Sequence, residues 1–238
     1  MGSESSRQRH PLAGYFGLAS TIRRILLLLL SFLLVYLFLV QPWFMRWGAT
    51  DAELAMTLLG DSYIPATTVV STRAITIHAP VAQVWPWIVQ LGQQHGGFYS
   101  YGWLENLFAA QMHNADRIVL EWQDTQVGDL VFMMANPPPL SVAEIVLLEP
   151  ERVMVLKGGW TFFLQPVDNQ TTRFIVRYAS FPMKGNLAAT LYYYPMFEPA
   201  HFVMEAGMML GIKACAERSV REMRTGNPIG MTTLEVAP

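Results

Sequence analysis

The side chains able to do chemistry are few and scattered. His201 and Glu205 stand one helical turn apart, where a carboxylate can orient an imidazole for acid–base work. The same spacing also serves an ordinary hydrogen bond within a helix. No third catalytic partner is identifiable in the sequence, so the structural reading takes precedence. His113, Asp116, Glu121 and Asp124 form a looser polar cluster, but their spacing matches no metal-binding loop, and neither a metal nor a cofactor is expected. Gly92, Gly96 and Gly97 lack the dinucleotide spacing and follow a helical pattern rather than a strand. Cys215 is the single cysteine, which excludes an internal disulfide and a cysteine-cluster zinc site.

Apolar recognition is better represented. Tyr99, Tyr101 and Trp103 follow a glycine-rich loop, where rings can pack on a ligand while offering a polar tip, or can simply anchor the loop. Trp160, Phe162 and Leu164 alternate with polar residues, as do Phe174, Val176 and Tyr178. Phe197, His201, Met204 and Met208 would face these strands from a helix. Such a set lines a ligand cavity or fills an ordinary core.

The elements that must position these residues follow from periodicity. Thr72 to His78 alternates, with Ile75 and Ile77 on one face of a strand. Ala79-Pro80 opens a helix whose apolar stripe is Val81, Val84, Trp85, Ile88, Val89 and Leu91, with Pro86 inside it. A second short helix is expected over residues 101–110. Strands are expected over 129–135, 142–149, 152–157, 160–166 and 172–180, joined by hairpins, with Gly158-Gly159 suited to a primed turn. A long helix from Met196 to Arg224 closes the domain, its stripe read as Phe197, His201, Met204, Met208 and Cys215. An antiparallel meander with one long amphipathic helix on its apolar face is an α+β arrangement.

Upstream, Ile25 to Val40 holds no charge in 16 residues, and residues as far as Met45 bring it to membrane thickness. Arg7, Arg9, Arg23 and Arg24 precede it, whereas Asp51, Glu53 and Asp61 follow. The positive-inside rule then puts the N-terminus in the cytoplasm and the domain outside. Bulky Trp43, Phe44 and Trp47 occupy the place of a signal-peptidase site, so an uncleaved anchor in the cell membrane is preferred to a signal peptide. The expected organisation is a cytoplasmic segment 1–24, a transmembrane helix 25–45, a linker 46–70, a domain 71–225 and a loose tail 226–238. Charged residues are only 14% of the 238 and the net charge is −2, without a basic stripe, so nucleic acid is not an expected partner.

Several stretches resemble the START-like superfamily, also called the Bet v 1-like or polyketide cyclase/dehydrase group, and within it membrane-anchored bacterial SRPBCC proteins. They are Trp47-Gly-Ala-Thr-Asp51, residues 72–80, Val84-Trp-Pro-Trp-Ile-Val-Gln-Leu-Gly92, Gly97-Phe-Tyr-Ser-Tyr101, Trp103-Leu-Glu-Asn106, residues 115–118, 121–123 and 127–129, His201 to Glu205 and Gly211 to Lys213. The resemblance implies a helix-grip fold with a cavity for an apolar small molecule or lipid. It implies no particular reaction, because the fold hosts many functions. A membrane-anchored binder of a hydrophobic molecule is therefore the first expectation. A cyclase/aromatase-type enzyme using His201 and Glu205, and an interaction domain with a filled cavity, are the alternatives.

Overall fold

The computed structural model describes residues 12–65, 69–179 and 196–225. The expected tail 226–238, the end of the last strand at residue 180 and part of the linker, 66–68, lie outside the described residues. The chain divides into two compact units, Met1–Trp43 and Phe44–Pro238.

Helix α1 (Leu12–Val35) runs through a π-helical turn, Tyr36–Val40, into α2 (Gln41–Met45), whose last two residues are counted with the second unit. The helix begins ahead of the apolar run that defined the expected span, so Arg23 and Arg24 lie within it. From Ser20 to Met45 it is long and apolar enough to cross a membrane. Its 26 residues correspond to about 39 Å at ~1.5 Å per residue, more than a hydrocarbon core requires. Ser31 does not interrupt it, because its hydroxyl donates to the Leu27 carbonyl at 2.8 Å.

The second unit is built on six antiparallel strands: β1 (Val70–Ile77), β2 (Leu130–Phe132), β3 (Val142–Glu149), β4 (Val153–Leu156), β5 (Trp160–Asp168) and β6 (Thr171–Ala179). Their order is β1-β6-β5-β4-β3-β2. The meander from β2 to β6 follows the expected hairpins, and Gly158 and Gly159 take φ of +94° and +91°, the pair of positive values a primed two-residue turn needs. β1 pairs with β6 without a break, from Val70 opposite Ala179 to Ile77 opposite Thr172.

Helices α4 (Val81–Val89) and α5 (Gly102–Leu107) follow β1, and the long α6 (Glu198–Thr225) packs on the inner face of the sheet. This is the α+β, helix-grip arrangement. Its core joins Ile77, Trp87 and Ile88 to Phe162, Phe174, Val176, Met209 and Ile212. The buried stripe of α6 is Glu205, Met208, Met209, Ile212, Ala216 and Val220. It is rotated from the expected one, leaving His201, Met204 and Cys215 partly buried on its flank. The sequence stripe followed the largest side chains, whereas the small Ala216 and the paired Glu205 occupy the contact line.

Residues 46–65 of the expected linker fold against the domain. Helix α3 (Asp51–Ala55) is closed by a capping box between Thr50 and Glu53. This stretch packs Leu58 and Met56 against Ala74 and Ile175 on the outer face of the sheet. The residues alternating with the core positions of β6 therefore meet protein, not solvent. Arg173 donates to Glu53 and to the Gly48 carbonyl. Arg177 donates to both Asp61 oxygens and to the carbonyls of Met56 and Glu53.

Candidate functional site

Between the sheet and the first half of α6 lies a cavity of about 180 Å³. The sheet side supplies Trp160, Met133 follows β2, the loop before α5 supplies Phe98 and Ser100, α5 supplies Glu105, and α6 supplies His201, Met204, Glu205 and Met208. Phe98 and Trp160 stack with centroids 6.1 Å apart and planes 10° from parallel, forming an aromatic wall.

The alternation that makes β1 half-apolar also delivers a charge to this side. Arg73 shares its face with Ile75 and Ile77 and stands opposite Val176, so its side chain is forced inward. It is 1% exposed. Its Nη1 pairs with Glu205 Oε2, its Nε donates to the Phe44 carbonyl at 2.8 Å, and its guanidinium lies 5.2 Å from the Phe202 ring centroid. Glu205 Oε1 accepts from Trp160 Nε1 at 2.9 Å. Both oxygens of Glu205 are thus committed to Arg73 and Trp160, and this carboxylate does not orient His201. The imidazole instead stacks on Tyr178, centroids 3.9 Å apart, with Phe197 and Trp160 each at 5.8 Å. Burial pulls its pKa down to about 4, with Glu205 opposing and Arg73 adding to that effect, so at neutral pH the ring is uncharged.

Glu105 is among the residues that sequence reasoning missed. Its Oε2 is buried, and no donor among the described residues comes within hydrogen-bonding distance. Desolvation raises the carboxyl to about 7. The Ser100 hydroxyl proton is satisfied, since Oγ donates to the Met204 carbonyl at 2.9 Å.

Of the expected ligand-facing residues, Trp160, His201, Met204 and Met208 line the cavity. Phe162 and Phe174 are fully buried in the core, while Tyr178 and Phe197 stand behind His201. Tyr99 anchors its loop. Its hydroxyl accepts from Gln90 Nε2 at 2.6 Å, its ring meets Trp87 edge-on at 5.5 Å, and burial pushes the phenol above its ordinary range. Tyr101 is 43% exposed and Trp103 is 68% exposed. His113, Asp116, Glu121 and Asp124 are all exposed, and among the described residues no three metal-ligating side chains converge. A larger hollow of about 330 Å³ near the C-terminal end of α6 is open trough, where Arg224 donates to Gln170.

Two sequence signals pointed to what was missed. Arg73 occupies an apolar strand face, and Glu105 lies within the quoted stretch Trp103-Leu-Glu-Asn106. Phe98, Ser100 and Met133 carry no comparable signal, because loops bring them to the wall.

No family model matches the chain, and no curated protein does. Solved structures do, at low likeness. A polyketide-cyclase-like protein of Corynebacterium glutamicum is 13% identical with a TM-score of 0.33, over 69% of this chain and 99% of that one. A Nitrosomonas europaea protein is 12% identical with a TM-score of 0.36, over 66% and 99%. A conserved protein of unknown function from Enterococcus faecalis is 12% identical with a TM-score of 0.30, over 74% and 80%. The class is defined by the topology itself: an antiparallel sheet gripping one long helix, with a small, largely apolar cavity between them.

Proposed function

We propose that this chain is a single-pass membrane protein whose domain binds a small apolar molecule between sheet and helix. The observation that carries the reading is the cavity walled by Phe98, Trp160, Met133, Met204 and Met208. Aromatic and methionine walls with few polar groups suit apolar ligands. Size narrows the class. Ligand pockets usually run to about 300–1,000 Å³, and this cavity measures about 180 Å³. An apolar cavity of roughly 150 Å³ accepts benzene. A ring with a short substituent therefore fits. The anchoring part of the proposal rests on the apolar helix Ser20–Met45 and on the arginines before it, which favour a cytoplasmic N-terminus and an extracytoplasmic domain.

The lining methionines report occupancy directly. With the full chain in lipid nanodiscs carrying ¹³C-methyl methionine, toluene is expected to shift the Met133, Met204 and Met208 signals saturably. The exposed Met196 and Met223 should stay still. Uniform, non-saturating shifts of all five would reject the binding reading.

A further inference from the structure

We propose that the ligand is a small lipophilic amine, its ring against Phe98 and Trp160 and its ammonium on the Glu105 carboxylate. The inference rests on the cavity being a binding site. It goes further by asking which polar group in the wall lacks a partner.

The charges around the cavity sort cleanly. Arg73 and Glu205 neutralise each other, and Trp160 Nε1 takes the remaining Glu205 oxygen. His201 is uncharged at neutral pH. Ser100 is spent on a backbone carbonyl. Glu105 is left with a buried oxygen, Oε2, that meets no donor among the described residues. A buried polar atom without a hydrogen bond is costly, and a ligand carrying N–H donors removes that cost. A cation does so best. Its bond to a carboxylate is charge-assisted, its charge is favoured by the faces of neighbouring aromatic rings, and it leaves the site electrically neutral. Without ligand, the carboxyl can hold its own proton near neutral pH, since burial raises it to about 7.

Benzylamine, toluene and benzaldehyde test this, because they share a ring and differ in the polar end. They are titrated against the full chain in nanodiscs, following the same methionine methyl signals, with each probe's partition into the lipid measured and subtracted. Benzylamine is expected to bind at least tenfold more tightly than toluene at pH 8. Primary amines stay protonated over this range, so benzylamine affinity should rise roughly tenfold or more from pH 5.5 to 8 as Glu105 ionises, while toluene affinity stays flat. His201, with its pKa near 4, does not titrate in that window, and Glu205 is paired with Arg73. Glu105→Gln should erase both the preference and the pH slope, and the wild-type profile is decisive even if that variant fails to fold. Equal, pH-independent binding of benzylamine and toluene would overturn the amine proposal while leaving the binding reading intact. Benzaldehyde binding best at pH 5.5 would also overturn it, because Glu105 would then be donating its proton to an acceptor. No saturable shift with any probe would reject the binding reading and the proposal together.

Discussion

The two faces of the sheet use the same chemistry to different ends. On the outer face, Arg173 and Arg177 reach Glu53 and Asp61, and their other N–H groups go to the carbonyls of Gly48, Met56 and Glu53 and to the hydroxyls of Thr76 and Thr72. Each arginine is met by several acceptors on a segment contributed by residues 48–61, so these pairs work as clasps. On the inner face, Arg73 and Glu205 are more deeply buried, with side chains 1% and 0% exposed. Beside them a second acid, Glu105, keeps an oxygen that meets no donor among the described residues. A fold that satisfies its outer face so thoroughly could have placed an amide or an apolar residue at position 105. The contrast separates polar groups paired within the protein from a carboxylate that lines the cavity with an oxygen unmet among the described residues.

The largest effect should come from breaking the inner pair. Arg73→Met strands a buried carboxylate and should cost about 3–5 kcal/mol by chemical denaturation. Arg73→Met combined with Glu205→Met should recover most of it, because two apolar side chains remove the desolvation penalty together. If the double variant is as unstable as the single one, the pair is doing more than compensating its own burial. On the outer face, Arg177→Ala removes several charge-assisted bonds at once and should cost about 2–4 kcal/mol. Arg177→Lys should restore little, since an ammonium cannot reproduce the fork. A smaller effect is expected from Gly60→Ala. A Cβ at that position would collide with the Thr161 hydroxyl, where the covering segment lies directly on β5. About 1–3 kcal/mol of overpacking should appear as a lowered melting temperature.

The subtlest test is pH. Glu105 has its pKa raised from the ordinary 4.5 to about 7 in the folded protein, so between those values the native state holds a proton that the unfolded chain releases. Its contribution therefore declines as pH rises from 4.5 to 7. His201 is shifted the other way, from 6.5 to about 4, so its contribution declines as pH falls through that interval. The two slopes oppose each other in the wild type. Glu105→Gln should leave stability rising with pH from 4 to 6.5, and should gain on the order of 1–2 kcal/mol at pH 8 after allowance for solvent screening. His201→Gln should leave stability falling from pH 4.5 to 7. Identical pH profiles for both variants would show that neither group is buried as described. Glu53 extends the comparison to the outer face. The Arg173 hydrogen bond holds its carboxyl below the ordinary range against the opposing effect of burial, with Thr50 assisting. Its contribution is present above pH 4.5 and lost on acidification below it.

Much of this architecture was legible in the residues themselves. The 16 uncharged residues from Ile25 specify a membrane-compatible helix because no tertiary contact is needed to satisfy its backbone. Strand alternation and the Gly158-Gly159 turn specify the meander because side-chain period and turn chemistry are local properties. What the sequence could not state is which polar residues meet. Glu53 and Arg173 are 120 positions apart and Arg73 and Glu205 are 132 apart, and local periodicity cannot reveal a pairing made by two separate elements. The same limit turned a supposed linker into the cover of the outer face and His201–Glu205 into neighbours with different partners. Only the tertiary arrangement that brings Glu105 together with Phe98, Met133, Trp160 and the first half of α6 decided that it would face a cavity with an oxygen unmet among the described residues, because a carboxylate is identified as unpartnered only after the donors around it have positions.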